Sequence, residues 1–217
     1  AAHQLKVIAR AGSGLDQIDL EIAEERKIVI FNAPEGNRDT LGEHALGLIL
    51  SLLNNIVKSN QEVSNNNWNR SANRGHELKG KTVGILGYGH MGSSLANKLK
   101  SFDCRIIAFD IKDTIVKPTW LEIVDRKSFF EQVDILSIHI PMSSENKTLI
   151  NYQWLNSFKK NFWLINTSRG EVLVLKDLLK LLNEGKIFGA ALDVLENENL
   201  ESLNPEEKKV FKDLVER

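Results

Sequence analysis

Apolar residues in this chain fall into short continuous runs separated by segments of helical period. The runs Thr82-Val83-Gly84-Ile85-Leu86, Arg105-Ile106-Ile107-Ala108-Phe109, Val133 to Ile138, Phe162 to Ile165 and Ile187 to Leu192 have no polar alternate positions. Strands of that kind are covered on both faces, as in a parallel sheet. Between them, Met91, Leu95, Leu99 and Phe102 share one helical face, and Lys176 to Glu184 reads as a helix closed by Gly185. Strand and helix alternating in this way predict an α/β fold with a doubly wound parallel sheet and right-handed crossovers. Upstream, residues 1–38 give a smaller unit: strand Leu5 to Ala9, a turn at Gly12-Ser13-Gly14, helix Leu15 to Lys27 and strand Ile28 to Phe31. Asn32 to Asn37 is a linker by composition. Thr40 to Val57 predicts one long helix with apolar residues on nearly every face, and hence one covered all round. That covering is either its own domain or a second subunit. Asn65 to Gly75 is polar around an isolated Trp68 and reads as an arm, and Pro205 to Glu216 as a charged helix.

Six residues inside this pattern carry chemistry. Gly87-Tyr88-Gly89-His90-Met91-Gly92 follows one buried run and opens a helix, and the next run ends in Asp110, 23 positions after Gly87. Strand, glycine turn, helix, strand and terminal acid in that order form a dinucleotide fingerprint. Gly87 permits the turn, Gly89 lets a pyrophosphate approach the backbone, and Gly92 lets helix and strand pack closely. The helix N-terminus supplies N–H donors for phosphate. Asp110 can accept from both ribose hydroxyls and repels a 2′-phosphate, which favours NAD over NADP; Lys112 weakens that preference.

Ligands of doubly wound sheets bind outside the carboxyl ends of the strands. Those ends hold Asp110, His139-Ile140-Pro141, Asn166-Thr167-Ser168-Arg169-Gly170 and Asp193 to Glu198. Arg169, on a turn straight after a buried strand, has the forked donors that suit the carboxylate and adjacent carbonyl of a 2-oxo acid. The competing reading is an arginine paired with a surface acid. Glu198 could tune a neighbouring base or simply be solvated. His139 could turn its ring to the nicotinamide side, but before Ile-Pro a packing role or a backbone contact suits it better. No histidine follows Glu198, so an acid/base group for hydride chemistry is missing from the sequence.

Bulk composition adds exclusions. Lys and Arg number 28 against 29 Asp and Glu, with no long run of one sign, so nothing marks a nucleic-acid or anionic-membrane surface. The one cysteine, Cys104, has no internal partner for a disulfide and is expected to be a buried thiol, which fits a cytoplasmic location. No metal-ligand cluster is expected. The chain begins without methionine and runs almost at once into a strand, which gives the expectation of a piece of a longer protein.

Taken together, these segments resemble the D-isomer-specific 2-hydroxyacid dehydrogenases, and among them most the 3-phosphoglycerate dehydrogenases. The resemblance is carried by Arg10 to Asp19, Gly42-Glu43-His44-Ala45, the glycine fingerprint, His139-Ile140-Pro141 with Asn146, Asn166 to Gly170, and Gly189 to Val194. It implies a flavodoxin-like substrate domain built from both chain ends, of which residues 1–38 would be a part, and a Rossmann NAD-binding domain over 39–217. It implies a homodimer joined through the helix at 40–57. Arg169 then resembles the arginine that binds the substrate carboxylate and polarises the reacting oxygen, and Glu198 the acid that pairs with the catalytic histidine. That histidine would lie beyond Arg217. Asp193 resembles the residue that holds the nicotinamide carboxamide. Ser13 and Gly14 would bind the substrate carboxylate through backbone N–H groups, and Arg10 matches an arginine that meets substrate phosphate in some members. The cofactor contacts would come from Gly87, Gly89, His90, Met91, Gly92, Asp110, His139, Ile140, Pro141, Asn146, Thr167, Ser168, Arg169 and Asp193. The implied reaction is hydride transfer between NAD and a D-2-hydroxy or 2-oxo acid, with 3-phosphoglycerate the best-matching substrate. An NAD-sensing dimer of the corepressor kind, without turnover, is the alternative. Asn199 departs from the family's pattern, which has proline there.

Overall fold

The computed structural model describes residues 3–112 and 117–216; the termini Ala1 and Arg217 lie outside it. Its centre is a six-stranded parallel sheet in the order β5-β4-β3-β6-β7-β8. The strands are β3 (Thr82–Leu86), β4 (Arg105–Phe109), β5 (Glu122–Ile123), β6 (Ile135–Ile138), β7 (Phe162–Asn166) and β8 (Ile187–Leu192). A separate pair of parallel strands, β1 (Val7–Arg10) and β2 (Val29–Asn32), is joined by the short helix α1 (Leu20–Glu25). The remaining helices are α2 (Arg38–Leu53), α3 (Ile56–Ser64), α4 (His90–Leu99), α5 (Arg126–Gln132), α6 (Tyr152–Asn156), α7 (Leu175–Asn183) and α8 (Pro205–Val215). Strand order reverses at β3, with β4 on one side and β6 on the other. A crevice opens at such a reversal, beyond the strand carboxyl ends.

Why the strands lack alternation is visible in where their side chains go. Ile107, Leu136, Ile138, Phe162 and Leu164 enter one core layer, beneath α5, α6 and α7. Val83, Ile85, Ile106, Ala108, Ile135, Trp163 and Ile165 enter the other, beneath α2 and α4. Both faces are therefore apolar. The first layer centres on Phe158, fully buried, with ring centroids 4.9 Å from Phe130, 5.3 Å from Trp154 and 4.4 Å from Phe162. Burying such a side chain contributes about 1.5–3 kcal/mol before any cavity cost.

The structure corrects several expected elements. The single helix over 40–57 is two, α2 and α3, bent by 60° at Asn54-Asn55. Asn55 sits in the left-handed region at φ 53°, which ends one helix and starts the other. Within this chain α2 is covered along one side. Gly42, Ala45, Ile49 and Leu53 form its buried stripe, whereas Leu46, Leu48, Leu50 and Leu52 are half-buried. Ile56 and Val57, just past the bend, are 54% and 62% exposed. Gly42 lets α2 press against α4, since a Cβ there would overlap Ser94 Oγ. Helix α1 is also shorter than the predicted Leu15 to Lys27, because Asp19 caps its start by accepting from the Ile22 N–H at 3.0 Å. Cys104 is half-buried rather than buried, and that partial desolvation raises its thiol pKa. The Trp68 arm is observed as expected, with Trp68 80% exposed. No single helix among the described residues is long and apolar enough to cross a membrane.

Candidate functional site

The glycine turn lies between β3 and α4, as its spacing predicts. Gly87 has φ +90°, and a Cβ on it would stand 2.8 Å from the His139 carbonyl oxygen, so glycine is required on both counts. A Cβ on Gly92 would overlap the Gly87 carbonyl oxygen, whereas a Cβ on Gly89 would meet nothing within 4 Å. That open space is where backbone and ligand can approach. No side chain caps the start of α4 at Gly89, so the N–H groups of its first turn, at His90 and Met91, are open to a phosphate.

Asp110 ends β4 beside this turn. Its Oδ2 accepts from the Tyr88 N–H at 2.7 Å and its Oδ1 from the Lys112 N–H at 2.9 Å. Both oxygens are thereby aimed, with one lone pair each left for a ribose diol. A cavity of about 460 Å³ opens here, lined in part by Asp110, Lys112, Lys117 and Arg126. Among the described lining residues, these three cations stand against the two carboxylates of Asp110 and Asp125, which reduces the penalty against a 2′-phosphate. We expect Asp110→Asn to weaken NADH binding about tenfold, the value of one or two hydrogen bonds to a charged group, and to narrow the NADH-over-NADPH preference. Parallel titrations with both cofactors measure it.

Across the reversal, His139-Ile140-Pro141 follows β6 and abuts Gly87, with Ile140 Cγ2 3.1 Å from a Cβ built there. Asn146 folds back on this segment, donating from Nδ2 to the Pro141 carbonyl at 2.9 Å. The His139 ring does not face the crevice as an acid/base group. Its Nε2 is 2.8 Å from Ser137 Oγ, and its Nδ1 is buried with no partner among the described residues. Burial lowers its pKa from 6.5 to about 4. His139 is therefore neutral at pH 7 and packs the sheet end. Between pH 6.5 and 4 the unfolded chain binds a proton that the folded one refuses. Folding stability should thus fall on acidification through that window, by on the order of 3 kcal/mol. Urea unfolding at pH 7 and pH 4.5 should show a loss that His139→Gln largely abolishes.

At the end of β7, Asn166 organises the next turn. It is fully buried; its Oδ1 accepts from both the N–H and the hydroxyl of Ser168, at 3.0 and 2.9 Å, and its Nδ2 donates to the Arg169 carbonyl at 3.0 Å. Thr167 Oγ1 is buried there without a partner among the described residues. The only cue to this scaffolding role in the sequence was an asparagine closing an otherwise apolar strand.

Arg169 leaves that turn toward the N-terminal unit. Its Nε and Nη2 both donate to Asp16 Oδ2, at 3.0 and 2.7 Å, and its Nη1 donates to the Ser168 carbonyl at 2.8 Å. The guanidinium beside Asp16 holds that carboxyl below the usual range. So the arginine does pair with an acid, two residues past the glycine turn at 12–14. Gly14 is so near that a Cβ on it would overlap Arg169 Nη2. Three of the five guanidinium N–H groups are used, which leaves two. Ser13 and Gly14 spend no backbone N–H on any described residue, while the Ser13 carbonyl accepts from Asn32 Nδ2 at 2.9 Å. Arg169, with N–H groups to spare, therefore stands against Gly14 on a loop whose own N–H groups are unspent among the described residues. A carboxylate fits that arrangement. Arg10 closes β1 just before this loop and donates to Gln17 Oε1 at 3.2 Å.

Asp193 follows β8, donating its N–H to the Asn166 carbonyl at 2.9 Å, and its Oδ1 lies 3.1 Å from His44 Nε2 on α2. The loop after it packs on Gly170, where a Cβ would overlap the Leu195 carbonyl. Glu196 in this loop accepts from the Leu175 N–H at 2.9 Å and so tethers the loop to the start of α7. Glu198 is exposed, and its carboxylate has no hydrogen-bond partner among the described residues. The geometry thus joins Gly14, Asp16 and Arg169, and His44 with Asp193, but puts no group against Glu198.

The sequence model for the D-isomer specific 2-hydroxyacid dehydrogenase NAD-binding domain matches residues 46–212, most of the chain. The chain belongs to this family. The open turn, the uncapped helix and Asp110 fit NAD, the cofactor of that domain. A glyoxylate reductase of Thermofilum pendens is 39% identical over 214 residues, covering 94% of this chain and 62% of that protein. A D-3-phosphoglycerate dehydrogenase of Bacillus subtilis is 37% identical over 196 residues, 89% of this chain and 37% of that one. Among solved structures, a glyoxylate reductase from Paecilomyes thermophila superposes with a TM-score of 0.87 at 26% identity, covering 99% of this chain and 63% of that one. The chain thus spans about 37–63% of the length of these relatives.

Proposed function

We propose that this dehydrogenase-family chain serves hydride transfer between NAD and a D-2-hydroxy or 2-oxo acid. The observation that carries the reading is Arg169, with two N–H groups to spare, held against Gly14 on a loop whose Ser13 and Gly14 N–H groups have no partner among the described residues. Arg169 gives one of its two remaining N–H groups to the substrate carboxylate and the other to the reacting oxygen, whose developing charge it stabilises. The backbone of Ser13 and Gly14 holds the same carboxylate from the opposite side, so C2 is fixed in orientation. Bound NAD supplies the hydride chemistry; the chain supplies orientation and charge. His90, Met91 and Gly92 would hold the pyrophosphate and Asp110 a ribose. Ile140, Pro141, Thr167, Ser168 and Asp193 would hold the nicotinamide end. Glu198 would serve by pairing with the histidine that exchanges the hydroxyl proton.

Within this reading residues 1–38 belong to a substrate domain and 39–217 to the NAD domain. A twofold dimer covers the half-buried leucines of α2 and the exposed Ile56 and Val57, an apolar strip of the kind that subunits bury. A reducing cytoplasm suits Cys104. Arg10 carries a positive charge whose hydrogen-bond partner among the described residues is the neutral Gln17 amide, which supports a phosphorylated substrate such as 3-phosphoglycerate. The test is NADH oxidation by the full chain with 3-phosphohydroxypyruvate, hydroxypyruvate, glyoxylate and pyruvate. Turnover strongest with the phosphorylated acid supports the reading in full. Turnover of unphosphorylated acids alone removes Arg10 from it, and NADH binding with no turnover selects the NAD-sensing alternative.

A further inference from the structure

We infer that His44 is a positioning residue for the nicotinamide, acting through Asp193. This rests on the dehydrogenase reading above. Sheet order sets the direction of the cofactor: Asp110 at the end of β4 fixes the adenosine end, and the start of α4 beside β3 fixes the phosphates. What remains must run toward β7 and β8, where Asp193 stands with its N–H tied to Asn166.

Asp193 has two carboxylate oxygens with different surroundings. Oδ1 is held by His44 Nε2 at 3.1 Å, and Oδ2 has no partner among the described residues. A carboxylate fixed at one oxygen presents the other in a single direction. That free oxygen suits the N–H of a carboxamide, which is a donor the cofactor itself carries. His44 is a stable anchor, because α2 is fixed against the rest of the fold by the buried Ala45 and Ile49 and by Leu52, whose Cδ1 is 3.0 Å from a Cβ built on Gly189 in β8. The side chains of His44 and Asp193 are 46% and 42% exposed. A pair so open to water contributes little to folding, so its removal should leave the fold intact and act on orientation. A carboxamide held in one rotamer presents one face of the nicotinamide ring to the substrate and keeps its C4 at a constant distance from C2.

The test compares His44→Ala and His44→Gln with the unmodified protein, using NADH and its reduced 3-acetylpyridine analogue. In the analogue a methyl group replaces the amide nitrogen, so the donor to Asp193 is absent. The expected result is a roughly tenfold loss of kcat/KM with NADH in His44→Ala, the lower end of what outer partners of a binding group are worth, and less than about twofold with the analogue. His44→Gln, which can place an N–H near the same point, should recover most of the loss. Equal losses with both cofactors would show a merely structural effect and overturn the inference, as would no loss with either. Calorimetric titration of both cofactors keeps the two claims apart. If the unmodified protein binds NADH but turns over no 2-oxo acid, the dehydrogenase reading fails, while a cofactor-selective loss of affinity in His44→Ala still supports the role of His44.

Discussion

Arg169→Lys is expected to lower kcat/KM for a 2-oxo acid by about 10²- to 10³-fold, the cost of removing one pre-aimed donor to a developing oxyanion. NADH affinity should change by less than about twofold. The guanidinium is fixed from two sides, by Asp16 through Nε and Nη2 and by the Ser168 carbonyl through Nη1. Fixing it costs three N–H groups and leaves two for substrate. A lysine ammonium has three donors in all and no planar fork, so it cannot hold Asp16, the turn carbonyl and a carboxylate together. Steady-state rates with titrations of NADH and the 2-oxo acid measure the effect. A variant within about threefold of the parent would remove Arg169 from the mechanism.

Gly170→Ala is expected to be nearly as damaging, from a different cause. The added Cβ would overlap the Leu195 carbonyl and lie 2.7 Å from the Glu196 nitrogen, both rigid backbone. The loop from Asp193 to Glu198 must lift from the turn that carries Arg169, or the turn must shift with it. Either movement displaces Asp193 and Glu198 relative to Arg169 by more than the fraction of an ångström that hydride geometry tolerates. We expect at least a tenfold loss of kcat and a fall in thermal midpoint of about 4 °C or more, as overpacking of 1–3 kcal/mol implies. Calorimetry and initial rates on the same samples separate the two effects.

The parallel sheet was legible because each of its longer strands is an unbroken apolar run. β3, β4 and β8 begin and end where the pattern changes. The glycine turn was legible because its backbone demands are local: a positive φ at Gly87 and no room for a Cβ at Gly92. The bend at Asn54-Asn55 was not, since two asparagines within an apolar stretch do not reveal that one of them adopts a left-handed conformation. The short β5, α5 and α6 also escaped, being too brief to show a period. In the site, the residue types at the strand ends were readable, but their partners were not. Asp16 meets Arg169 across 153 positions and His44 meets Asp193 across 149. Such pairings depend on where the N-terminal unit and α2 settle against the sheet, a packing outcome that no local pattern encodes. His139 shows the converse: its place at a strand end was plain, yet only the fold shows its ring turned back to Ser137.

If the Arg169 and Gly14 juncture holds a 2-oxo acid with its C2 against the nicotinamide, NADH carrying deuterium at both C4 positions should pass it to the substrate in the full chain. Deuterium is expected at C2 of a hydroxy acid product of D configuration, formed at a rate that collapses in Arg169→Lys. An L product, no label at C2, or the same transfer in Arg169→Lys would show that this juncture does not hold the substrate.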